Sequence, residues 1–139
     1  MAKKCLTEKQ LLKSKDADYM SKEQLDYFRQ RLENDRKQAL NELEKIKNQI
    51  SHVDQTADPF DQAANEEIRE INLKSIERLT RMIHKIEHAI DNIDTGEYGY
   101  CEVTGEKIGL PRLLIRPFSS LSVAAKEAQE HLDRGDSDT

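Results

Sequence analysis

Two apolar stripes of matched length, separated by a proline, limit what this chain can fold into. The first stripe is Leu25, Phe28, Leu32, Arg36, Ala39, Leu40, Leu43, Ile46 and Ile50. The second is Ile68, Ile71, Asn72, Ile76, Leu79, Ile83, Ile86, Ile90 and Ile93. Both keep the three-four spacing that places side chains on one face of a helix. From Ile76 onward the second alternates as heptad a and d positions do. Ser21 with Gln24 three residues later is a capping-box pattern for the first helix. A helix over 21–53 would be roughly 50 Å long at 1.5 Å per residue. The second helical pattern, from Ala63 to Ile93, is about as long.

Between the stripes stands Ala57-Asp58-Pro59-Phe60-Asp61-Gln62-Ala63. Pro59 lacks an N–H and has a fixed φ, so a helix cannot pass through it undisturbed. It also pushes Asp58 toward an extended conformation. The first helix is therefore expected to end near His52 or Val53. Asp58 or Asp61 can cap the next helix, and Glu66 and Glu67 fall early in it, where the dipole favours negative charge. Two matched stripes joined by a short turn make an antiparallel hairpin. An ordinary bundle would need a third long helix to cover the outer faces, and the sequence offers none.

The composition suits exposed helices. Of 139 residues, 35% are charged and 5% aromatic, with no tryptophan, which is little apolar bulk for a large core. A net charge of -5 argues against non-specific binding to a nucleic-acid backbone. No apolar run approaches the roughly 20 residues of a membrane span, and no signal peptide opens the sequence. Cys5 and Cys101 do not make a disulfide framework, so a reducing cytoplasm is the expected location.

The remaining segments are shorter. Leu6, Leu11 and Leu12 hint at a short helix within residues 1–20, with mobile first residues. The second long helix stops at Asp94-Thr95-Gly96, glycine standing where a C-cap wants it. Residues 97–117 lose the helical period and read as a knuckle of turns and short strands or loops. Ser119 or Ser120 is expected to cap a last helix over about 121–132, and residues 133–139 read as a disordered polar tail. The fold class is thus mainly α: a coiled-coil hairpin over 21–93, with its tip at 54–63, projecting from a small globular domain. That domain comprises a degenerate zinc-finger-like knuckle and C-terminal helix over 94–132, with residues 1–20 packed on it.

The knuckle is where a zinc would sit, held by two Cys-x2-Cys pairs. Here the four positions are Cys101, Thr104, Ser122 and Ala125. One thiol with threonine, serine and alanine cannot hold a structural zinc. His84 and His88 are four apart on a helix without a third ligand, and His131 adds none. No metal is expected. The knuckle must then hold by packing, with Tyr98, Tyr100, Ile108, Leu110, Leu113, Ile115, Phe118 and Leu121 as its core. Cys101 reads as a buried, inert member of it; the alternative is a reactive redox thiol, for which no flanking cation lowers the pKa.

Taken in order, the Asp-Pro-x-Asp-x-Ala turn, Gly-Tyr-Cys-Glu and Ile-Gly-x-x-Arg-Leu-x-x-Arg-Pro resemble the DksA/TraR family of bacterial transcription factors. The resemblance covers about residues 20–130. It implies a protein that binds RNA polymerase, through the β and β′ subunits, and not DNA. The coiled coil would enter the secondary channel and bring Asp58, Asp61 and Ala63 near the catalytic centre. By position, the alarmone ppGpp would meet Met82, Lys85, Arg116 and Lys126, and Arg78 would touch the channel rim. With ppGpp such a factor destabilises open complexes, represses ribosomal RNA promoters and helps activate amino-acid biosynthesis promoters. Family members often carry four cysteines and zinc, and this sequence keeps only the first. The expectation is a monomeric, cytoplasmic, membrane-free factor without zinc. Nothing in the sequence supports an enzyme: there is no nucleophile–base arrangement, phosphate loop or metal cluster. The alternatives are a transcript-cleavage factor of the same channel and a coiled-coil adaptor for another protein.

Overall fold

The computed structural model describes residues 7–14, 18–56 and 61–137. Among these are five helices: α1 (Glu8–Leu12), α2 (Lys22–Thr56), α3 (Gln62–Thr95), α4 (Leu110–Ile115) and α5 (Val123–Ser137). The described residues contain no strand, only an isolated antiparallel bridge between Tyr100 and Lys107. α2 and α3 hold 35 and 34 residues, so each is about 50 Å long. Neither is apolar enough to cross a membrane. The chain divides into two compact units, Asn34–Glu87 and a second made of Met1–Glu33 with His88–Thr139.

In the unit Asn34–Glu87, Ala39, Leu79 and Ile83 form a buried seam, with Leu43, Ile46 and Met82 packed against it. Farther along α2, Ile50 and Val53 line a small recess with Ile68, Arg69 and Asn72 of α3. Rising numbers on α2 meet falling numbers on α3, so the pair is antiparallel, as the matched stripes require. The exposed Arg36 guanidinium donates to Glu87 Oε1 at 3.1 Å, which adds little in solvent.

The stripes differ in detail from the expected ones. α2 continues to Thr56, past Val53, because the proline restriction acts mainly on the residue just before it. Arg36 and Leu40 are exposed, and the seam passes through Ala39, Leu43 and Ile46 instead. On α3 a seven-residue beat runs from Asn72, which lines the recess, to the buried Leu79 and Ile86. Ile71 lies one residue, about 100° of helix, off that line. It is 59% exposed, and Ile68 is also largely exposed.

The second unit is built from α1, the start of α2, the end of α3, the knuckle, α4 and α5. Thr7 caps α1 in a reciprocal box with Gln10, and Leu11 is fully buried. Phe28 and Leu32 of α2, Ile93 of α3, Tyr98, Cys101 and Leu113 complete the core. The Phe28 and Tyr98 rings lie 5.6 Å apart. Arg29 pairs with Asp94 near the end of α3. Leu12 is exposed, and Leu6 and Cys5 lie outside the described residues.

Four local expectations are corrected. Gln24 N–H donates to Ser21 Oγ at 3.4 Å, but the Gln24 side chain reaches past Ser21 to accept from Met20 N–H. Pro111 opens a short helix, α4, inside the segment read as turns or strands. Ser122, not Ser119 or Ser120, caps α5: its hydroxyl accepts from Ala125 N–H at 3.2 Å. α5 then runs to Ser137, through most of the segment expected to be a disordered tail. Its interior glycine, Gly135, costs only about 1 kcal/mol, too little to end a helix by itself.

Candidate functional site

Asp58, with Ala57, Pro59 and Phe60, lies outside the described residues. Asp61 immediately precedes α3, and Ala63 is the second residue of that helix; both are exposed. The Asp61 carboxylate thus stands at the positive end of a long dipole. Glu66 and Glu67 follow, also exposed, so the start of α3 presents acid to solvent. Asp61 is exposed, so its carboxylate is suited to approaching a partner's charges.

The other expected contacts fall in different places. Met82 is half-buried against the Ala39, Leu79 and Ile83 seam. Lys85, three residues on, is exposed, and so is Arg78. Both belong to Asn34–Glu87. Arg116 is exposed at the C-cap of α4. Lys126 is half-buried in the first turn of α5, where its N–H donates to Ser122 O at 2.9 Å. These two belong to the second unit. None of Lys85, Arg116 and Lys126 forms an ion pair among the described residues.

The knuckle is a tightly hydrogen-bonded turn. Cys101 N–H donates to Glu106 O at 2.7 Å, and Gly105 N–H returns to Cys101 O at 2.9 Å. Glu102 N–H reaches Ser120 O at 2.9 Å, tying the two halves together. The Glu102 carboxylate meets His88 and accepts from Asn92 Nδ2 of α3. Tyr98 donates its buried hydroxyl to Pro117 O at 2.7 Å. Tyr98, Leu113 and Cys101 are buried as expected. Ile108, Leu110, Phe118 and Leu121 are half-buried, while Tyr100 is exposed and Ile115 is 80% exposed. Ile115 ends α4, whose inward face is set by Leu113.

Cys101 is buried, and hydrogen bonds rather than a flanking cation set its acidity. Burial pushes its pKa up, but hydrogen bonds from the Thr104 hydroxyl and the N–H groups of Ser122, Thr104 and Val103 outweigh this and bring it down to about 6. No cation is needed, because backbone donors converging on one sulfur favour the thiolate by themselves. Sequence spacing does not reveal them.

Sequence reading also missed Tyr19. Its hydroxyl donates to Gly99 O at 2.5 Å and accepts from Gly109 N–H at 2.9 Å. Both partners lie some eighty or ninety residues away, and no local pattern could have flagged them.

Comparison with known proteins agrees over both halves of the chain. Residues 24–93 match the N-terminal domain of DnaK suppressor protein DksA, and residues 96–131 match the prokaryotic dksA/traR C4-type zinc finger. The RNA polymerase-binding transcription factor DksA of Caulobacter vibrioides is 37% identical over 122 residues, 87% of this chain and 86% of that one. The protein of the same name in Escherichia coli is 34% identical over 117 residues, 81% of this chain and 76% of that one. The structure of transcription factor DksA2 from Pseudomonas aeruginosa superposes with a TM-score of 0.84 at 38% identity, covering 92% of this chain and 99% of that one.

The name of the second domain implies zinc, and the residues here do not fit it. Of the four positions only Cys101 offers a thiolate. The Thr104 hydroxyl accepts from Glu106 N–H at 3.3 Å, and the Ser122 hydroxyl is taken by the cap of α5. Ala125 has no donor atom. Structural zinc takes four thiolate or imidazole ligands, and neutral alcohols do not replace them. Among the described residues, no group of three or more His, Cys, Asp or Glu side chains could hold a metal. With both domains matched, in order and over most of its length, the chain belongs to the DksA/TraR family.

Proposed function

We propose that this chain is a transcription factor that binds RNA polymerase and carries its acidic tip into the secondary channel. The observation that carries the reading is the placement of Asp61 and Ala63: exposed at the start of a helix about 50 Å long, with a buried apolar seam farther along the same helix. A slender rod can enter a pore that a globule cannot. A carboxylate brought beside a bound Mg²⁺ or a basic loop shifts local electrostatics without covalent chemistry. The names of the Caulobacter and Escherichia relatives support polymerase as the partner.

The rest of the reading extends this. Asp58 joins Asp61 and Ala63 at the tip, and Arg78 contacts the channel rim. ppGpp is the effector, met by Met82, Lys85, Arg116 and Lys126; three cations suit its diphosphates. The factor destabilises open complexes, represses ribosomal RNA promoters and supports amino-acid biosynthesis promoters. It acts as a cytoplasmic monomer, without zinc, catalytic activity or direct contact to DNA.

The test is transcription in vitro from a ribosomal RNA promoter with the cognate polymerase and no added zinc. Wild type is compared with the Asp58→Asn/Asp61→Asn double variant, each with and without ppGpp. Repression by wild type, deepened by ppGpp and lost in a variant that still binds polymerase, is the expected result. Binding without any promoter effect by wild type would overturn the tip assignment. No binding at all would leave the adaptor reading in its place.

A further inference from the structure

A knuckle that lacks the ligands for zinc needs another closure, and residues 18–20 are placed to supply one. Tyr19 is tied to both ends of the knuckle's first half through its single hydroxyl, which donates to Gly99 O and accepts from Gly109 N–H. Gly109 is the N-cap of α4 and has no side chain with which to cap it. The ring of Tyr19 stands edge-on to Tyr100, with centroids 5.8 Å apart, and Lys107 Nζ lies 5.1 Å from its centroid. Tyr100 and Lys107 are themselves the bridged pair. One side chain therefore touches both residues of the bridge and both flanking glycines.

Met20 makes the fit close. A Cβ built on Gly99 would meet Met20 Sδ at 2.6 Å, so the methionine fills the space that the glycine leaves. Met20 itself has φ 57, a left-handed conformation that a non-glycine residue holds only when its surroundings impose it. The surroundings are visible. Met20 N–H donates to Gln24 Oε1 at 2.9 Å, and Ser21 N–H donates to Asp18 O at 2.9 Å. Gln24, 1% exposed, donates in turn to Ser14 Oγ at 2.8 Å. The segment is anchored to buried structure at its own end before it reaches the knuckle.

We propose that residues 18–20 are a metal-independent clasp, with the Tyr19 hydroxyl as the group that holds the knuckle to the start of α2. In a four-thiolate knuckle a metal would draw residues 101 and 104 toward 122 and 125. Here the knuckle's own hydrogen bonds tie its halves together, and the clasp adds a hold from outside, by hydrogen bonds to Gly99 and Gly109 and by the aromatic contact with Tyr100. The clasp does not depend on how the protein meets its partner.

The experiment is amide hydrogen exchange by NMR on the full-length ¹⁵N-labelled protein in EDTA, comparing wild type with Tyr19→Phe. Phenylalanine keeps the ring and removes both hydrogen bonds. The Gly109 amide is expected to exchange about tenfold faster or more, the ratio that loss of one net hydrogen bond produces, with the Ile83 amide as internal reference. In wild type, EDTA should leave Gly109 exchange unchanged. Gly109 exchange within twofold of wild type in the variant would overturn the clasp, and so would acceleration by EDTA in wild type. Should the variant fail to fold, the wild type decides alone. Under sub-denaturing urea the amides of Met20, Ser21 and Gly109 should share one opening reaction, and separate urea dependences would overturn the proposal.

Discussion

Removing the hydroxyl of Tyr98 tests the packing of the knuckle most directly. Tyr98→Phe leaves the ring against Phe28, 5.6 Å away, and deletes one buried hydrogen bond, to Pro117 O at 2.7 Å. The carbonyl of Pro117 then stays buried without that donor, at a cost of about 1–3 kcal/mol. Unfolding entropy near 2.1 cal/mol/K per residue gives roughly 0.3 kcal/mol/K for 139 residues, so Tm should fall by about 3–10 °C. A pH series adds a second reading. Burial first, and the neighbouring Tyr19 second, hold the Tyr98 proton far above the usual phenol range, with Arg31 opposing weakly. In the unfolded chain Tyr98 ionises near pH 10, while in the folded chain it does not. Its contribution is therefore complete below pH 10 and declines above it, by about 1.4 kcal/mol per pH unit. Phenylalanine has no such decline, so the gap between wild type and variant should narrow from pH 10 to 11. Thermal and urea unfolding followed by circular dichroism measure both. A Tm change under 1 °C, or a gap that widens above pH 10, would refute the reasoning.

Two further outcomes follow from the same physics. Leu79→Ala empties the centre of the Ala39, Leu79 and Ile83 seam and should cost about 2–5 kcal/mol, read as a lower urea midpoint; a loss below 1 kcal/mol would mean that the seam collapses onto the cavity. Cys101, held near 6 in the folded protein against about 9 when unfolded, contributes stability that is present above pH 9 and lost as pH falls toward 6. Wild type should therefore gain stability from pH 6 to 9 relative to Cys101→Ser, and parallel pH profiles would contradict the donor set around the sulfur.

Much of the helical architecture is written in the sequence. The matched stripes, the proline between them and Gly96 after the second specify two long antiparallel helices, because a three-four apolar period can be buried only against another such face. The exposed acid at the start of α3 and the lack of four zinc ligands are legible for the same reason: they depend on residue type at fixed spacing. What the sequence leaves undecided is which of two adjacent apolar residues faces the partner. Leu40 against Ala39, or Ile71 against Asn72, differ by about 100° on a helix, and only the mate helix chooses between them. Met82, expected as a ligand contact, is half-buried against that seam. The knuckle depends still more on distant groups. Tyr19 finds Gly99 and Gly109, Tyr98 finds Pro117, and Cys101 gathers N–H donors from both halves of the turn. Hydrogen bonds between residues far apart in the chain leave no period to read, so the sequence declares the two long helices and the acid at the start of the second, and tertiary packing alone determines how the knuckle closes.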